Sequence, residues 1–69
     1  MKRFLRYSLE RGRAIRLMYM DGEGMKQVSA TVTELTEEQV TFTTLRPKKN
    51  VTLALEQLLS ADYRKGDGE

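Results

Sequence analysis

Six cations fall within the first sixteen residues: Lys2, Arg3, Arg6, Arg11, Arg13 and Arg16, against the single acid Glu10. Tyr7 lies among them. Guanidinium forks match phosphate oxygens through two parallel bonds, and a tyrosine ring stacks on an unpaired base. A smaller basic group, Arg46, Lys48 and Lys49, surrounds the only proline, Pro47. The chemistry these types suggest is contact with RNA or DNA, mostly electrostatic and weak in sequence preference. The competing expectation is a solvated helix face that serves solubility and pairs with Glu34, Glu37 and Glu38. Residues 17–45 hold one Lys against five acids, so a net charge of only +2 hides a basic start and an acidic middle.

Other chemistries find little support. There is no His, and the acids Asp21, Glu23, Glu37 and Glu38 sit in turn-like stretches where water keeps a carboxylate ordinary. Ser8, Ser29 and Ser60 have no imidazole to activate them. The glycines mark turns, not a phosphate-cradling loop. No catalytic residue and no cofactor is expected, and the chain reads as a non-enzyme. Without Cys or His, a borderline-soft metal site has no ligands. Glu37 with Glu38, or Asp21 with Glu23, would hold a hard cation only weakly, and turn solvation is the expected role of both pairs. Met18 and Met20 form a further candidate: by alternation they point away from the Ile15 face, which suggests a protein or self-association surface unless the fold covers them.

These side chains need a scaffold, and the apolar periodicities describe it. Phe4, Leu5, Ser8 and Leu9 share one helical face, and Gly12 suits the left-handed residue that ends a helix. Period two then takes over. Ile15, Leu17 and Tyr19 alternate with Arg16, Met18 and Met20, and the Asp21-Gly22-Glu23-Gly24 turn leads into Val28, Ala30 and Val32 on a Thr-rich strand. After the polar turn Thr36–Gln39, Val40, Phe42 and Thr44 mark a third strand. Arg46 to Asn50 is a loop, and Val51, Leu53 and Leu55 mark a fourth strand. Glu56-Gln57-Leu58-Leu59 reads as one helical turn, and Ala61 and Tyr63 as a short fifth strand. The expected fold is mainly β with one N-terminal helix: four to five antiparallel strands closed into a small barrel, or left as an open sheet with the helix across one face. Ile15, Leu17, Val28, Val32, Phe42, Leu53 and Leu58 would share its interior.

Sixty-nine residues allow one domain, expected over residues 1–65 with a frayed polar tail at 66–69. So small a core supplies roughly 3–5 kcal/mol. The absence of Cys suits a reducing compartment, and the start of the chain has no apolar run of signal-peptide length, so a cytoplasmic location is expected.

The stretches "AIRLMYMDGEG" and "VTLALEQLLSADY" resemble the first hairpin and the closing strand–turn–strand of the WYL domain, a member of the Sm-like branch of SH3-type barrels. The resemblance covers about residues 4–63. It implies an SH3-like or Sm-like barrel, in a family linked with regulators that sense nucleotides or nucleic acid. The family's Trp-Tyr-Leu tripeptide would fall near Val40-Thr41-Phe42, and its Arg in the helical turn near Gln57. Neither is present, so the resemblance carries the fold to this chain and not the site.

Overall fold

The computed structural model describes residues 2–63. Helix α1 (Lys2–Arg11) precedes strands β1 (Ile15–Asp21), β2 (Gly24–Leu35), β3 (Gln39–Thr44), β4 (Asn50–Ala54) and β5 (Leu58–Tyr63), with a 3₁₀ turn at Leu55–Gln57 between the last two. The expected tail at 66–69 lies outside the described residues. No helix among the described residues is long and apolar enough to cross a membrane.

The helix ends where the sequence predicts. Gly12 adopts φ 65°, and its N–H donates to the Ser8 carbonyl at 2.9 Å, the left-handed closure that Gly takes without a Cβ penalty. The chain reverses there, so α1 folds back beside the strand that follows. A two-residue turn, Gly22-Glu23, joins β1 to β2 with Asp21 in register with Gly24, and the Asp21 Oδ1 accepts the Glu23 N–H at 2.8 Å.

All strand pairs are antiparallel, in the order β4-β3-β2-β1-β5. Alternation sends Ile15, Leu17, Tyr19, Ala30, Val32, Val40, Phe42 and Leu53 into one interior, which Leu5 of α1 enters from the side. Val28 is only half-buried against it. The Tyr19 and Phe42 rings lie 5.7 Å apart at a 56° tilt, and each fully buried large apolar side chain contributes roughly 1.5–3 kcal/mol. On the outer face, the hydroxyls of Thr41 and Thr52 are 2.9 Å apart, and Thr43 donates to the Asn50 Oδ1 at 2.7 Å, tying β3 to β4.

Of the two sheet arrangements expected, the structure takes the open one: the sheet is barrel-like but does not close, because β4 and β5 are its two edges and are not paired with each other. A side chain crosses the seam instead. The Gln57 Oε1 accepts the Ala54 N–H at 3.1 Å, and its Nε2 donates to the Met20 carbonyl at 3.1 Å. One expectation needs correction: the helical turn is Leu55–Gln57, so Leu55, expected in the fourth strand, opens the turn, and the turn is shorter than expected. Leu58 and Leu59 already belong to β5, because Leu58 sits opposite Tyr19 and turns its side chain inward, past a register shift near Met18.

Candidate nucleic-acid interface

The length of β2 organises the basic residues. Gly24 to Ala30 pairs with β1, and Ala30 to Leu35 pairs with β3. Successive residues of a strand direct their N–H and C=O groups to opposite sides, so each half has one side that its partner strand does not reach. Beyond the start of β1, α1 occupies that side. The buried Ser8 hydroxyl accepts the Val32 N–H at 2.8 Å and donates to the Arg13 carbonyl at 2.6 Å. Ser8 had no catalytic partner in the sequence. Its hydroxyl fastens the helix to the strand, and its place on the apolar helical face between Leu5 and Leu9 was the one signal of this.

Docked in this way, α1 turns its other face to water. Lys2, Arg3, Arg6, Tyr7, Glu10 and Arg11 line one open concavity of about 440 Å³. Lys2 and Arg6, with Glu10, also border a second one of about 300 Å³, whose far wall is Leu35, Thr36 and Glu37. The cations are exposed, whereas Tyr7 is half-buried and packs partly on the core, so part of its ring is already occupied. Arg11 stands in the last turn, where the helix dipole favours a cation. Lys2 and Arg3 stand in the first turn, which carries no acid, and there the dipole disfavours them. Arg13 is exposed in the connection to β1.

The second basic group goes elsewhere. Arg46, Lys48 and Lys49 are exposed, on a loop held by the buried Thr44. The Thr44 hydroxyl donates to the Pro47 carbonyl and accepts the Lys49 N–H at 3.2 Å, and the Thr44 N–H donates to the Lys49 carbonyl at 2.9 Å. The Arg46-Pro47 bond is cis. The Leu45 N–H donates to the Ser29 carbonyl at 3.1 Å. Val32 meets the helix on one side of β2 and Ser29 meets the loop on the other, so the fold separates the two basic groups. Arg46 instead lines a concavity of about 580 Å³ with Gln27, Val28, Ser29 and Leu45. Arg16 borders the same strand segment, in register with Ser29 and, across β5, with Asp62.

The methionines lie on the outer face of the hairpin. Met18 is half-buried, opposite Gln27 and Ser60, whereas Met20 is 44% exposed beside its register partner Met25, which is 63% exposed. The turn acids are engaged locally: Glu23 pairs with Lys26 at 3.0 Å, which raises the Lys26 pKa above its ordinary value through that hydrogen bond and charge. No protein-family model, curated protein or solved structure matches the chain, so the functional reading rests on this geometry.

Proposed function

We propose that this chain is a non-catalytic binding module of the SH3-like or Sm-like small-barrel type that holds a nucleic-acid backbone against its N-terminal helix. One observation carries the reading: Lys2, Arg3, Arg6 and Arg11 line a single open concavity together with Tyr7, against only one carboxylate, Glu10. Arginine forks there suit phosphate oxygens, and a bound anion relieves the unfavourable first-turn placement of Lys2 and Arg3. The Arg46 to Lys49 loop, on the opposite side of β2, is a secondary contact for a strand long enough to pass around the sheet. Ser8, with its hydroxyl committed in both directions, supports a structural role and not a nucleophilic one. A cysteine-free chain suits the reducing cytoplasm.

Titration with short single-stranded and double-stranded oligonucleotides, followed by amide NMR shifts, tests this reading. Arg3→Ala with Arg6→Ala should weaken binding and flatten the salt dependence by roughly 0.7 log units per lost single-strand phosphate contact. Unchanged binding by the double variant, or no binding by the wild type at low salt, rejects it.

The exposed Met20–Met25 pair favours a second reading, a protein-contact or self-association surface on the outer face that includes the half-buried Met18. Sedimentation at high micromolar protein should then show a mass above the monomer that Met20→Glu reduces. A monomer throughout would dismiss self-association.

A further inference from the structure

The first half of β2 carries a row of main-chain groups that no strand among the described residues uses. The Ser29 carbonyl points to the β3 side, where it accepts the Leu45 N–H. Along an extended strand, groups two and four residues away point the same way, so the N–H and C=O of Gln27 and Met25 also face that side. β3 pairs with β2 only from Ala30 onward, and beyond Leu45 the chain turns off into the loop fixed by Thr44. The space left beside Gln27, Val28 and Ser29 is the concavity of about 580 Å³ that Leu45 and Arg46 complete. Val28, half-buried, gives it an apolar floor, Leu45 lines it at 39% exposure, and Met25, two residues before Gln27 on the same strand, is 63% exposed.

The geometry points to this overhang as a strand-addition site for an extended acidic peptide of a protein partner. Such a peptide would continue the sheet past the end of β3, exchanging main-chain bonds with Met25 and Gln27 and setting a carboxylate against Arg46. Main-chain pairing supplies affinity in this mode, and the flanking side chains supply selectivity. The charge around the edge selects the occupant. Arg46 lines the concavity with no acid beside it there. Arg16 is a lesser contributor because Asp62 faces it across β5, and Lys26 is already engaged by Glu23. A second copy of the chain would bring another Arg46 to the same edge, and like charges brought together oppose pairing. Of the sheet's two end strands, β4 is the less inviting for a peptide. It has only five residues, follows Lys48 and Lys49, and has its Ala54 N–H covered by Gln57, all devices that blunt an edge.

The inference shares Arg46 with the secondary contact of the helix reading but none of the helix cations, so the two fail separately. The probe is an acetylated, amidated pentapeptide of alternating valine and glutamate, titrated into the full chain and followed by amide NMR. The Met25, Gln27 and Arg46 signals should move, and Arg3→Ala with Arg6→Ala should leave that response unchanged. Gln27→Pro deletes an N–H that faces away from β1, so the hairpin should persist while peptide binding is lost. Arg46→Glu, at an exposed loop position, should weaken the glutamate peptide about tenfold, or 1.4 kcal/mol, and favour its lysine counterpart. The inference is overturned if millimolar peptide leaves those three signals in place. It also fails if Arg46→Glu binds the glutamate peptide as tightly as the wild type, or if oligothymidylate moves the three signals and the peptide does not.

Discussion

The two halves of β2 are one continuous strand in two different settings. Residues 30–35 are enclosed on both sides, by β3 and by the helix that the Ser8 hydroxyl fastens to Val32. Residues 24–29 are enclosed by β1 alone, and on the far side they meet a loop and open space. Both halves are extended backbone, the second interrupted by a register shift between Val32 and Glu34, so strand propensity does not explain the difference. It comes from what reaches the lateral polar groups. Where a side chain from a distant element arrives, the strand is structural, and where none arrives, the backbone itself is the available chemistry.

The largest effect should come from stripping the cover off the enclosed half. Leu5→Ala removes a fully buried anchor of α1 and should cost about 2–5 kcal/mol, enough to unfold much of so small a domain, as circular dichroism in urea would show. Ser8→Ala leaves the Val32 N–H buried without its acceptor and should cost about 1–3 kcal/mol, read from the urea midpoint. If Ser8→Ala proves neutral, the contrast between the halves loses its cause. Gly12→Ala puts a Cβ on a residue at φ 65° and should cost about 1–2 kcal/mol by loosening the reversal that returns the helix to β2.

Hydrogen exchange sharpens the comparison without any substitution. In the free protein the Met25 and Gln27 amides should exchange about tenfold or more faster than those of Lys26 and Val28, which face β1. Equal protection along residues 25–28 would mean that the open half is not open. The smallest effect belongs to the turn. Glu23→Gln should return the Lys26 pKa toward its ordinary value, as NMR titration would show, and lower the urea midpoint near neutrality only slightly, because the pair is exposed. The sign follows from linkage: a lysine whose pKa rises on folding stabilises the fold below its unfolded value and loses that contribution only as pH climbs through the folded one. The window therefore lies in the strongly alkaline range.

Much of this scaffold was legible in the residues. The period-two runs around Ile15–Tyr19 and Val40–Thr44 each have one apolar face, and one buried face leaves a strand no choice of register. Gly12 and the Asp21–Gly24 turn marked reversals by their backbone freedom. Less legible was anything decided by contacts between distant segments. That a long Thr-rich strand runs through Val28–Val32 was legible, but that it serves two successive partners over Gly24–Leu35 was not, because no local pattern shows which strands reach it. Leu58 reads as helical beside Glu56 and Gln57, yet the vacancy opposite Tyr19 draws it into a strand. The basic residues showed their chemistry but not their grouping. Arg46 and Arg6 belong to different sides of one strand, a fact that lives in the topology.

Gln57 has a mechanical consequence. A cylinder closed by a ladder of main-chain bonds resists widening along its whole height, but this sheet is fastened at one level by a single amide clasp between Ala54 and Met20. The clasp lies where the chain itself passes from β4 to β5 through Leu55–Gln57, so one rim is tied by both chain and amide, while the rest of the gap between β4 and β5 carries no main-chain ladder.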